Sequence, residues 1–199
     1  MSKENSFFSA RNVALLGILL ALVVVLQSLA SVIPVFVTLN LALIPIILAG
    51  MLLGAWAGAF VGFACGVIVL IQVVMGLNAF YVLIWTNSPI VTTLICLVKT
   101  TVAGGVAGAI FSLLKKKNKY VGVFLASGIV PVLNTVLFIL GCLCMSDTMR
   151  LMAGDAANIL LFIVVDVVTI NFFFEFATSL IAAPALHTVY TVAQRRIQK

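Results

Sequence analysis

Charge is scarce in this chain. Only 8% of its 199 residues are Asp, Glu, Lys or Arg, against about 25% in a soluble globular domain, and the deficit excludes a water-soluble fold. Acidic residues number five and histidine one, too few for a carboxylate cluster or a His-rich metal centre. The four cysteines do not compensate: Cys65 and Cys96 sit inside apolar runs, and Cys142 and Cys144 close one. A C-x-C pair with only His187 to assist lacks the ligand spacing of a zinc site, so all four read as small membrane-compatible side chains. Also missing are a P-loop, a Gly-rich dinucleotide fingerprint, an HExxH motif and a G-x-S-G serine. No nucleotide site, catalytic residue, metal or cofactor is therefore expected.

Apolar residues are what the chain has in excess: 64% of it is hydrophobic, and the mean hydropathy is +1.34. A bilayer crossing takes about 20 apolar residues, and six such segments nearly exhaust the sequence. The expected fold is an all-α integral membrane protein with six transmembrane helices, a single membrane domain over residues 1–199, multi-pass in a cell membrane. The predicted spans are 8–30, 39–53 (containing Pro45), 54–74, 89–114, 120–144, and one from near 157 that bends past Pro184 to 195. A turn falls near Pro34, and residues 75–88 and 145–158 read as loops. Pro89 suits the first turn of a helix. The apolar run 13–37 is too long for a signal peptide and no A-x-A-like site follows its core, so it reads as a span.

The net charge of +6 reports orientation rather than nucleic-acid binding. Of the eleven Lys and Arg, nine flank hydrophobic segments: Lys3 and Arg11; Lys115, Lys116, Lys117 and Lys119; and Arg195, Arg196 and Lys199. With both termini cytoplasmic, all nine fall on the cytoplasmic side, and the outer loops keep only Arg150 against Asp147 and Asp155. That is the positive-inside pattern, with some attraction to anionic lipid.

Small residues indicate how the helices pack. Gly54, Gly58, Gly62 and Gly66 recur every fourth residue, as do Gly104 and Gly108, and such stripes let helix backbones approach closely where lipid gives no hydrophobic drive for association. Ala10, Ala14, Gly17 and Ala21 make a similar stripe on the first helix, suited to internal packing or to docking another membrane subunit.

A charge at mid-membrane costs at least about 2.5–3.5 kcal/mol and usually faces a cavity or a partner. Lys99, Asp166 and Glu175 are such charges. Counting 1.5 Å per residue from the helix ends places Lys99, Asn134 and Asp166 in one layer, roughly 15 Å deep. Two readings follow: Lys99 and Asp166 neutralise each other and hold the bundle, or they line a solute pocket to which Asn134 and Thr135 add hydrogen bonds. Asn78, Tyr81, Trp85 and Asn87 lie above that layer as a lid, or in the case of the aromatics as an interfacial belt, and Thr92 adds a hydroxyl. Asn171 and Glu175, four apart, share a face about half a turn from Asp166 and read as structural, with Phe172, Phe173, Phe174 and Phe176 around them.

Two segments carry a family resemblance: LALIPIILAGMLLGAWAGAFVGFACGVI, and NSPIVTTLICLVKTTVAGGVAGAIF. With six spans and the small-residue stripe of the first helix, they make the whole chain resemble the substrate-binding S components of energy-coupling factor (ECF) transporters, which import vitamins in prokaryotes. The resemblance implies an S-component-like bundle in the prokaryotic plasma membrane, with a solute pocket open to the outside. It implies two kinds of partner, a transmembrane T component and two cytoplasmic ATPases. In the family an A-x-x-x-A-type motif on the first helix contacts the T component, and here Ala10 and Ala14, with Gly17 and Ala21, take that place, although Arg11 and Asn12 interrupt the motif. The implied solute-binding residues are Lys99, Asn134, Asp166, Asn87, Trp85, Tyr81, Asn78 and Thr92. A lone lysine among amides and hydroxyls suits an acyclic acid, so the chain looks like a pantothenate-type member; riboflavin, folate, cobalamin and a queuosine precursor are left open.

Two other classes compete. A self-sufficient secondary transporter or channel often shows repeated halves with broken helices, and residues 1–100 do not match 101–199. An intramembrane enzyme using Asp166 and Glu175 needs both acids at one reacting atom, whereas these two face different sides of one helix.

Overall fold

The computed structural model describes residues 9–32, 40–77, 79–154 and 158–197. Its elements are α1 (Ala10–Val32), α2 (Leu43–Leu53), α3 (Ala55–Val74), α4 (Ala79–Asn87), α5 (Pro89–Leu114), α6 (Lys119–Cys144), α7 (Ser146–Ala153), α8 (Ile159–Leu161), a π-helical stretch (Phe162–Val168) and α9 (Thr169–Ile197). All the regular structure described is helical, and the chain is a multi-pass membrane protein. Five helical stretches are long and apolar enough to cross a bilayer: Ala10–Leu29, Ala55–Val74, Pro89–Leu114, Lys119–Cys144 and Ile159–Arg195. The second expected span differs: α2 has 11 residues, about 16 Å of helix, half the thickness of a hydrocarbon core.

The glycine stripe explains the centre of the bundle. Gly58 meets the backbone of Gly104, Gly62 that of Thr100, and Gly66 that of Cys96. Each step of four along α3 is matched by a step of four back along α5, so the two helices run antiparallel, backbone on backbone. A methyl group on any of these glycines would overlap the facing main chain. α2 joins the same seam, since a methyl added to Gly50 would lie 2.9 Å from the Gly108 nitrogen. Gly54, at φ +96°, turns α2 into α3 in a conformation that only glycine adopts without strain.

Helix α1 lies at the edge. It buries Leu16, Leu19 and Val23, and near its far end Gln27 Nε2 donates to Gln72 Oε1 of α3 at 3.0 Å, while Gln72 Nε2 donates to the Gln27 carbonyl at 3.2 Å. Helix α6 starts where the lysine run ends, because Asn118 Oδ1 accepts from the N–H groups of Tyr120 and Val121, an N-cap. α9 continues through Pro184 without a break.

The two expected loops each contain a helix. Residues 79–87 wind because their apolar face has a partner: Ile84 is buried in a cluster with Ile95, Phe138, Cys142 and Met149. Residues 146–153 form an amphipathic turn pair with Thr148 and Met149 inward, and Asp147 in the first turn and Arg150 in the last, each complementing the helix dipole. Ser88 Oγ and Thr148 Oγ1, 3.3 Å apart, tie the two short helices together. Neither is long enough to show a spanning pattern in sequence, so both were hidden among turn-forming residues.

Candidate functional site

Helix α5 turns Thr92, Ile95, Cys96, Lys99, Thr100 and Ala103 inward along one face, the i, i+3, i+4, i+7 spacing of a buried stripe. Lys99 is thereby held inside the bundle at 6% exposure. Its ammonium donates to the Tyr81 hydroxyl of α4 at 2.9 Å and lies 5.3 Å from the Phe138 ring centre and 5.5 Å from that of Tyr81. Phe80, Tyr81 and Phe138 pack with centroids 5.9, 6.0 and 6.1 Å apart. The electron-rich faces of aromatic rings stabilise a cation, so the lysine sits in a collar that compensates part of its desolvation.

A second polar pair lies one helical turn along α6 from Phe138. Asn134, 4% exposed, donates from Nδ2 to Glu175 Oε2 of α9 at 3.1 Å. The Asn40 backbone N–H lies against the same carboxylate, and Glu175 and Lys99 lie within each other's electrostatic field. Asn171 stands one turn before Glu175 on α9. The side-chain oxygens Asn40 Oδ1, Asn134 Oδ1 and Asn171 Oδ1 are buried and have no hydrogen-bond partner among the described residues.

The structure thus brings Lys99, Tyr81 and Asn134 into one interior region. Glu175 lies in that region too, bonded within the bundle to Asn134, a contact that counting along the sequence did not bring out. Depth measured from helix ends assumes that neighbouring helices start level, and a facing computed at 100° per residue assumes an α-helix throughout. The π stretch Phe162–Val168 has wider turns and changes the facing of everything after it. Phe138, Asn40 and Asn171 were likewise missed as site residues; for Asn171 the signal was present, in its fourfold spacing from Glu175.

The other expected residues are placed as follows. Trp85 is partly buried against the main core. Thr92 is fully buried but its hydroxyl donates to the Ser88 carbonyl at 2.9 Å. Asn87 is exposed, and its Nδ2 donates back to the Leu83 carbonyl at 2.8 Å, away from Lys99. Thr135 points the other way, into an apolar groove with Val132, Val136, Val164 and Phe172. Asn78 and the side chain of Asp166 lie outside the described residues, so the observed hydrogen-bond partner of Lys99 is Tyr81. On α1, Ala10, Ala14, Gly17 and Ala21 are all exposed, on the helix face turned away from the core, and nothing stands within 4 Å of a methyl added to Gly17.

Chemically, the region offers one ammonium inside an aromatic collar and a carboxylate that accepts from Asn134 Nδ2 and the Asn40 N–H. Among known families, the sequence model described as "ECF transporter, substrate-specific component" matches residues 11–192. Neither among curated proteins nor among solved structures does the chain find a match.

Proposed function

The chain belongs to the family of substrate-specific components of ECF transporters, substrate-binding subunits rather than enzymes, and from that premise we propose that it captures a small carboxylic acid, of the pantothenate type, on Lys99. The observation that carries this reading is a buried ammonium whose single hydrogen bond among the described residues goes to a neutral phenol. Two of its three N–H donors stay available for an anion, and a charge-assisted bond to a carboxylate is the strongest partner they could take. The acid enters from the end of the bundle carrying α4 and α7, the outer face if the termini are cytoplasmic, and Trp85 and Tyr81 close over it.

Substrate-specific components have a small-molecule substrate and T-component and ATPase partners. In this chain the exposed stripe Ala10, Ala14, Gly17 and Ala21 is the proposed docking face for the T component, which with two cytoplasmic ATPases supplies the energy. Helix α1 fits that role because it is the least buried of the described spans, at 17%, and its small side chains let a second helix come close. The setting is a prokaryotic plasma membrane.

The test is calorimetric titration of the purified chain with pantothenate, alone and as Lys99→Ala. Tight binding by the parent and a loss of about 100-fold or more in the variant are expected. Binding that is unchanged in Lys99→Ala would make the lysine purely structural.

A further inference from the structure

Three asparagine oxygens buried without a partner among the described residues are unusual. Leaving a buried polar group unsatisfied is costly, and in natural proteins such groups are few. Here Asn40 Oδ1, Asn134 Oδ1 and Asn171 Oδ1 come from three separate elements: the segment before α2, α6 and α9. Asn134 bonds Glu175 at 3.1 Å, the Asn40 backbone N–H lies against the same carboxylate, and Asn171 stands one turn before Glu175 on α9. One N–H of Asn134 goes to the carboxylate, and its Oδ1 is left as a buried acceptor without a partner among the described residues. The region is therefore rich in acceptors, in contrast to the donor-only ammonium of Lys99.

We propose that Asn40, Asn134 and Asn171, with Glu175, form a second subsite that reads hydroxyl donors on the bound acid, at the end opposite its carboxylate. The spacing supports this division. Phe138, whose ring lies 5.3 Å from the Lys99 ammonium, is four residues along α6 from Asn134, roughly 6 Å. An acyclic acid with its carboxylate on Lys99 and its hydroxyls at the far end of its skeleton reaches past Phe138 toward Asn134. A flat, acceptor-rich ring system does not match a wall of amide oxygens, nor does a plain fatty acid. The subsite thus selects within the class of small acids, and the inference rests on the reading of Lys99 as the carboxylate partner.

The probes are D-pantothenate and N-(3,3-dimethylbutanoyl)-β-alanine, which has the same skeleton, carboxylate and amide with both hydroxyls replaced by hydrogen. Titrated against the purified full chain in lipid nanodiscs, pantothenate is expected to bind about 100-fold more tightly, since a site built to hydrogen-bond a hydroxyl discriminates strongly against its absence. Asn171→Ala should weaken pantothenate about tenfold and leave the dideoxy acid within about twofold; if that variant does not fold, Asn40→Ala is the substitute, with the same expectation. Binding of both acids with equal affinity by the parent chain, or an equal loss of both in the variants, overturns the subsite and leaves the Lys99 reading standing. Failure of the parent chain to bind either acid overturns both.

Discussion

Asn134 of α6 hydrogen-bonds Glu175 of α9 at 3.1 Å, linking two helices across 41 residues of sequence. In lipid, both groups would be costly alone; together they satisfy one another in part and fix how the last helix sits against the bundle. Interhelical hydrogen bonds of this kind contribute about 0.6 kcal/mol on average and up to about 1.7. The pair therefore sets register more than it supplies stability.

Glu175→Gln keeps an oxygen for Asn134 Nδ2, whereas Glu175→Ala leaves that donor buried and unpaired. Thermal unfolding in detergent should show the Gln variant close to the parent and the Ala variant destabilised by about 1–3 kcal/mol. Equal effects would mean that the bond to Asn134 is not what Glu175 contributes.

Tyr81→Phe retains the ring beside Lys99 and removes the hydroxyl that accepts its proton at 2.9 Å. Hydrogen bonds to charged groups contribute about 1.5–3 kcal/mol, so a misdirected ammonium should reduce affinity for pantothenate about tenfold or more. Full retention of affinity would detach the lid helix from binding.

Gly62 faces the Thr100 main chain with no space for a side chain, while Gly17 faces open surroundings. Gly62→Val should destabilise the protein by about 3 kcal/mol or more and Gly17→Val should leave its unfolding temperature unchanged. A tolerated valine at 62 would contradict the backbone contact.

Enlarging the outward stripe separates binding from assembly. With Ala14→Leu and Gly17→Leu combined, the purified chain should bind pantothenate with parental affinity yet fail to co-purify with the T component and ATPases. Normal co-purification would place the docking face elsewhere.

Orientation has its own measurement. In a background lacking the exposed Cys144, an Arg150→Cys chain should react with a membrane-impermeant maleimide added to intact cells, and a Lys116→Cys chain only after the cells are opened. The reverse pattern would invert the topology.

The parts of the fold that depend on one helix at a time could be read from sequence: the apolar spans, the Pro89 start of α5, and the lysine run that ends it. The α3–α5 seam was also legible, because close backbone approach demands glycine at a fixed interval and Gly58, Gly62 and Gly66 supply it. What sequence did not carry was register between helices. Counting from helix ends sets Asn134 level with Lys99, but its contact with Glu175 depends on where α9 begins relative to α6 and on the π turns before it. Short helices such as α4 and α7 were invisible for a related reason: their order comes from tertiary contacts at Ile84 and Met149 rather than from a local pattern.

The glycine seam has a mechanical consequence. Packed side chains can absorb a displacement by changing rotamer, but where Gly58 lies on Gly104 and Gly62 on Thr100 there is only main chain on both sides. The α3–α5 pair therefore has no slack. A displacement of α5 at Lys99 cannot dissipate between these two helices; it is carried by them as a unit to the far end of the bundle, where Gly108 rests on Ala55.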